Sequence, residues 1–144
     1  MNKNANLSWN KTKKQVESAM NLYDYYNLSI CNDTRLKDDY SLDIIEEIDC
    51  DKKYLNIKEE EFFKRIEYVN YIRYSFNKLT TCERKIIYWT YLDKENAYDD
   101  RYIANNLGFS LGYYYSKKKD TLIRFAYALG LEEYNDWKIK KTLS

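Results

Sequence analysis

The residues with the most informative types and spacing lie between Asp99 and Phe125, in the segment DDRYIANNLGFSLGYYYSKKKDTLIRF. If a helix begins after Ser110, its outward face carries small, polar, aromatic and cationic side chains in its N-terminal half. Such a face suits the major groove of duplex DNA, where side chains reach base edges and the flanking phosphates. The candidate DNA-binding residues are Arg101, Ser110, Leu111, Gly112, Tyr113, Ser116, Lys117 and Lys119.

These candidates differ in the contact that each can make. Tyr113 can reach a phosphate or the methyl group of thymine, and Ser116 can reach a base edge or a phosphate. Lys117, Lys119 and Arg101 would neutralise phosphates. Neither the lysine run nor the tyrosine run indicates this alone, because charge runs are usually solvated surface and tyrosines often fill a core. The prediction therefore depends on how two helices would place them.

A helix, a tight turn and a second helix must position these side chains. Asp99 is expected to cap the first helix, and Gly108 to end it with a positive φ. Ser110 is expected to cap the second helix. Ala104 must be small where the second helix crosses the first, and Tyr114, ten residues later, is expected to pack back on it. Phe109 is expected to point inward from the turn.

The second helix, wound over 110–129, separates into two faces. The inward face is expected to hold Tyr114, Thr121, Leu122, Phe125 and Leu129. The outward face is expected to hold Gly112, Tyr113, Ser116, Lys119 and Asp120. Lys117 and Lys118 interrupt the inward stripe, and we expect their alkyl stems to run along the edge of the core. An ordinary helical hairpin without a binding role is the alternative interpretation of this pattern.

Helical patterns also precede this segment. Apolar residues predict a first helix over 11–26 and a short one near 42–48. Between 62 and 79 they recur every three or four residues, which predicts a strongly amphipathic helix. Two capping boxes are expected at helix starts, Asn56 with Glu59 and Thr80 with Glu83, the second opening a helix over 81–92.

The composition favours an all-α fold. The 144 residues contain no proline and three glycines, whereas sandwiches and barrels need many glycine- and proline-rich turns. We expect an N-terminal helical region or arm over 1–53. A helical domain over 54–131 would include the helix-turn-helix at 99–125, and a charged tail would follow over 132–144.

Charge is distributed unevenly, although the net charge is only +1. Residues 1–20 hold four Lys and one Glu, and residues 100–144 hold eight Lys or Arg against five Asp or Glu. Residues 24–61 hold twelve Asp or Glu against five Lys or Arg. The middle is therefore acidic and both ends are basic, so a DNA-binding face must be local.

Several other classes of protein are disfavoured by the sequence. No histidine is present, and the three widely spaced cysteines suit neither a zinc site nor a disulfide framework. We therefore expect no metal, no cofactor and free thiols. The absence of a glycine-rich phosphate loop or a nucleophile motif argues against an enzyme. No apolar run is long enough for a membrane span or a signal peptide, which favours a cytoplasmic location.

The stretch from Leu79 to Leu131 resembles the ArpU/RinA group of phage-type transcriptional regulators. The resemblance rests on Glu83-Arg84, Ile103-Ala104, Leu107-Gly108-Phe109-Ser110, the tyrosine and lysine runs, and Leu122-x-x-Phe125-Ala126. It covers about a third of the chain well. That module is in turn similar to the fourth conserved region of bacterial sigma factors, which reads the −35 promoter element. Where sigma-type readers usually place Arg or Glu, this sequence has Leu111 and Gly112.

The resemblance implies control of late phage or prophage genes, such as those for packaging or lysis, through promoter DNA. It also implies RNA polymerase as a candidate partner, and homodimerisation would strengthen a single helix-turn-helix. A protein–protein adaptor that docks on polymerase or a phage partner is the alternative function. Residues 24–61 and the apolar helix at 62–79 would then form the contact surface. Salt dependence separates the two functions, because phosphate contacts weaken steeply as salt rises.

Overall fold

Five α-helices form the framework of the computed structural model, which describes residues 6–30, 59–93 and 98–135. They are α1 (Trp9–Ile30), α2 (Glu59–Asn77), α3 (Thr81–Ile87), α4 (Asp100–Leu107) and α5 (Leu111–Leu129). Within those ranges there is no strand, and an isolated antiparallel bridge joins Leu7 to Tyr134. The predicted all-α class is confirmed for this part of the chain. None of its helices is long and apolar enough to cross a bilayer.

The helix boundaries differ from the predictions mainly at the ends. α1 extends beyond the predicted 11–26 in both directions, because apolar residues anchor its two ends. Trp9 packs against the core and Ile30 is fully buried. The helix expected near 42–48, Asn56 of the first capping box and the tail beyond Asn135 lie outside the described residues.

The start of α3 has the predicted capping box. The Thr80 hydroxyl accepts the Glu83 backbone N–H at 3.3 Å, and the Glu83 carboxylate accepts the Thr80 backbone N–H at 2.9 Å. The helix expected over 81–92 is α-helical only to Ile87, and a π-helical turn (Tyr88–Leu92) continues it. Within that turn the Thr90 hydroxyl donates to the Ile86 carbonyl at 2.7 Å, a back-bond that bends helices.

Two apolar clusters hold the helices together. The main core lies between α1, α2 and α5, which pack against one another. The apolar stripe of α2 is buried in it, through Phe62, Ile66, Val69, Ile72 and Phe76. A second, smaller cluster joins α3, α4 and α5 through Ile86, Ile103, Ala104 and Tyr114. α5 therefore belongs to both clusters, which fixes its position relative to α4 and to α1.

The turn between α4 and α5 depends on Gly108, which has a φ of 74°. An L-residue in this left-handed conformation costs roughly 1 kcal/mol. We expect Gly108→Ala to lower the free energy of unfolding by about that amount in urea titrations followed by circular dichroism. Gly112→Ala is the matched control, because Gly112 is helical and an added Cβ would meet nothing within 4 Å. Equal stability of the two variants would show that this turn tolerates a side chain.

Candidate nucleic-acid interface

The three residues predicted to begin α4, end it and begin α5 do so. The Asp99 carboxylate caps α4 by accepting the Tyr102 backbone N–H at 2.8 Å. After Gly108, the Phe109 backbone N–H donates to the Ala104 carbonyl at 2.9 Å. The Ser110 hydroxyl caps α5 by accepting the Tyr113 backbone N–H at 3.2 Å. These caps satisfy backbone groups at both helix ends and set the direction in which α5 leaves the turn.

α4 packs on α5 through a small contact at Ala104 and a large one at Tyr114. Ala104 is 2% exposed and Tyr114 is fully buried, as the predicted close crossing requires. Phe109 is half-buried against the same cluster. This packing presents the N-terminal half of α5 to solvent on the side away from α4.

A polar network at Asp100 reinforces this contact. The Tyr114 hydroxyl donates to the Asp100 carboxylate at 3.3 Å, and the Lys118 ammonium donates to the same oxygen at 3.0 Å. Burial, together with the adjacent Asp100 carboxylate, raises the pKa of the Tyr114 hydroxyl. Lys118 largely offsets the negative charge of Asp100. The Asp100 carboxylate is therefore paired where it lies beside the outward face of α5.

The two faces predicted for α5 are confirmed. The inward residues are all buried, namely Tyr114, Thr121, Leu122, Phe125 and Leu129. The outward residues are all exposed, namely Gly112, Tyr113, Ser116, Lys119 and Asp120. Lys117 and Lys118 are half-buried, in agreement with stems that run along the edge of the core.

The candidate DNA-binding residues fall into two groups, four on the exposed face of α5 and four around it. Gly112, Ser116 and Lys119 follow one another at helical spacing on the exposed face of α5, and Tyr113 flanks them with 55% of its surface exposed. The Tyr113 ring also packs edge-on against Phe109, with centroids 4.7 Å apart.

The other candidates lie around this group. Arg101 is exposed on α4, and Lys117 is half-buried one turn after Tyr113. Ser110 is exposed, but its hydroxyl is engaged as the cap of α5. Leu111 is half-buried against the cluster formed by α3, α4 and α5. The structure thus brings four candidates onto one open face and places the others at its margins.

Two long-range contacts of α5 were absent from the sequence analysis. The Lys119 ammonium lies 5.3 Å from the centroid of the Trp9 ring, at the start of α1. The Arg124 guanidinium donates to the Glu83 carboxylate of α3 at 2.6 Å. Neither pair has a local spacing that could have revealed it, because the partners come from different helices.

The outward face of α5 ends near Asp120. Ile123 is 6% exposed, although helical spacing places it close to the outward residues. We attribute this burial to α1, because Lys119, one turn earlier on the same side, contacts Trp9. The predicted outward face is therefore confined to the N-terminal half of α5, and the exposed residues of the helix after Asp120 are Arg124 and Tyr127.

Within the described ranges, no group of three or more cysteine, aspartate or glutamate side chains could hold a metal ion. The site consists of an exposed helix face with a glycine, small polar groups and a lysine, an arrangement that an extended anionic surface could contact. No family model, curated protein or solved structure matches the chain.

Proposed function

We propose that the protein is a DNA-binding transcriptional regulator in which α4 and α5 form a helix-turn-helix. The N-terminal half of α5 enters the major groove, as in the sigma-region-4-like module that the sequence resembles. The resemblance extends this proposal to promoters of late phage or prophage genes, with RNA polymerase or a second copy of the chain as a further partner.

The proposal rests mainly on the exposed glycine of α5, Gly112. Glycine is less favourable than alanine in a helix, by roughly 0.5–1 kcal/mol in the middle of one, so a helical glycine usually has a local reason. Here the backbone is helical and an added Cβ would meet nothing within 4 Å, so the fold supplies no such reason. A residue without a side chain on the open face of α5 allows another molecule to approach the backbone closely. A DNA groove is a ligand of that kind.

The charges around this face agree with a polyanionic ligand. Lys119 lies on the face itself, while Lys117 and Arg101 lie at its margins. Asp100 is paired with Lys118, which leaves Asp120 as the acidic residue on the outward face of α5. The polar groups available for base edges are few, mainly Ser116 and Tyr113, so phosphate contacts supply most of the affinity in this proposal.

The alternative function, a protein–protein adaptor, is less well supported by the structure than by the sequence pattern. It used the apolar stripe of α2 as a protein-binding surface, and that stripe is buried against α1 and α5 apart from Phe63, which is 41% exposed. A partner could reach it only if the core opened. We therefore favour DNA as the ligand.

Binding of the full chain to duplex fragments from its own neighbouring genome, titrated across salt, tests the proposal. With Arg101, Lys117 and Lys119 on phosphates, the logarithm of the association constant should fall by at least about 2.7 per tenfold increase in salt. Fluorescence anisotropy measures this slope directly. Binding without salt dependence, or no binding at low salt, would contradict a DNA-binding function.

A further inference from the structure

The start of α1 lies beside the outward face of α5. The Lys119 ammonium is 5.3 Å from the Trp9 ring, and such cation–π contacts hold a lysine stem in a defined place. Trp9 is itself half-buried against the main core. The first turn of α1 therefore forms one edge of the surface to which Lys119 belongs.

Hydrogen bonds fix this turn relative to α5. Thr12 is fully buried, and its hydroxyl accepts the Glu133 backbone N–H at 3.0 Å. The Ser8 backbone N–H donates to the Glu133 carbonyl at 2.8 Å. Because Glu133 follows closely after α5, these bonds tie the start of α1 to the end of α5. The start of α1 is thus held beside Lys119 both by the packing of Trp9 on the core and by the hydrogen bonds to Glu133.

Two exposed lysines extend the basic surface from this edge. Lys13 and Lys14 are both exposed, and the first turn of α1 contains no acidic residue. Lys13 lies one helical turn after Trp9 on the same side of α1, about 6 Å further along the axis. Lys13 therefore lies next along α1 from the Trp9 ring that Lys119 contacts.

The nearest acidic side chain of α1 does not cancel these charges. Glu17, one turn beyond Lys13, is half-buried and faces Tyr91. Burial and the Glu17 carboxylate together raise the pKa of the Tyr91 hydroxyl. Lys13 and Lys14 thus stand on the solvent side of α1 with no ion pair to it.

We propose that Lys13 and Lys14 bind DNA phosphates beside the groove that α5 enters. The duplex is then held from two sides, by α5 in the groove and by the start of α1 on the backbone. This inference rests on the proposed function, and it assigns to α1 a role beyond the packing of the core.

The test compares two double variants of the full chain, Lys13→Gln/Lys14→Gln and Lys64→Gln/Lys78→Gln. The second is the matched control, because Lys64 is an exposed lysine of α2 and Lys78 is an exposed lysine that directly follows it. The salt slope is the fall in the logarithm of the association constant per tenfold increase in salt. Each lost phosphate contact lowers this slope by about 0.9 and lowers the affinity at 0.15 M salt by about fivefold. The α1 variant should therefore lose about 1.8 in slope and about thirtyfold in affinity, with the control within about twofold of the wild type.

A second measurement avoids substitutions. In the wild-type chain, bound duplex should protect Lys13 and Lys14 from acetylation, detected by mass spectrometry, while Lys64 stays reactive. An α1 variant that keeps the wild-type slope, or unprotected Lys13 and Lys14, would overturn this inference and leave the proposed function standing. A wild-type chain that binds no duplex would overturn the proposed function itself.

Discussion

Gly112→Glu is expected to abolish duplex binding, lowering the affinity by at least about a hundredfold, while the protein becomes slightly more stable. Like charges brought together at an interface cost several kcal/mol, and the new carboxylate would lie among the phosphates. The same change favours α5, since glutamate is a better helix former than glycine by roughly 0.5 kcal/mol. A carboxylate in the first turn also interacts favourably with the helix dipole. A loss of binding cannot then be attributed to unfolding.

Tyr25→Glu is the control for this variant. It introduces the same single negative charge at a position of α1 that is 71% exposed. We expect it to bind DNA within about threefold of the wild type, since one distant surface charge is largely screened at physiological salt. Anisotropy titrations and thermal melts of both variants make the comparison. If Gly112→Glu binds as well as Tyr25→Glu, α5 does not enter a groove at this face.

Glu83→Ala is expected to lower the free energy of unfolding by about 3 kcal/mol. Glu83 is 2% exposed, and its carboxylate holds both the Thr80 backbone N–H and the Arg124 guanidinium. The first bond caps α3, and the second joins α3 to α5. Because the Arg124 side chain is 58% exposed, it returns to water when its partner is removed. The loss is therefore smaller than for an ion pair buried on both sides.

Glu83→Gln separates the two contributions of this side chain. The amide oxygen still accepts the Thr80 N–H, so the capping box survives, but the amide NH2 cannot accept from Arg124, so that hydrogen bond is lost together with the charge. We expect a loss of about 1–2 kcal/mol, measured by urea unfolding at neutral pH. If Glu83→Ala and Glu83→Gln are equally stable, the cap contributes nothing and the ion pair with Arg124 accounts for the whole effect.

The stability contributed by Glu83 also has a defined pH dependence. Burial opposes ionisation of the carboxyl, but the Thr80 N–H and Arg124 outweigh it and lower the pKa below its ordinary value of 4.5. The ionised group therefore contributes its full stability above pH 4.5, and this is lost as the pH falls through the lowered pKa. The difference in stability between wild type and Glu83→Gln should be constant at neutral pH and shrink below pH 4.5.

Local features of the fold were predictable because they depend on residues close in sequence. The caps at Thr80, Asp99 and Ser110 each accept the backbone N–H three residues ahead, which is the third residue of the helix. Gly108 ends α4 because only glycine adopts its φ without strain. The two faces of α5 follow from helical periodicity alone.

Other features depend on how helices meet, which the sequence pattern does not contain. The capping-box pattern indicates one role for the Glu83 carboxylate, whereas it also binds Arg124, forty-one residues away. Ile123 is 6% exposed, although helical spacing places it close to the outward residues of α5. The contact of Lys119 with Trp9 likewise joins α5 to α1. Such pairs connect separate helices, and no spacing rule applies to them.

An NMR titration of the chain with a bound duplex tests the central claim most directly, because it identifies the surface that contacts DNA without any substitution. We expect the largest amide shift changes at Gly112, Tyr113 and Ser116, with smaller ones at Lys13 and Lys14. Changes confined to the shallow groove lined by Leu22, Tyr68 and Tyr71 would contradict the assignment of α5 as the helix that enters the groove.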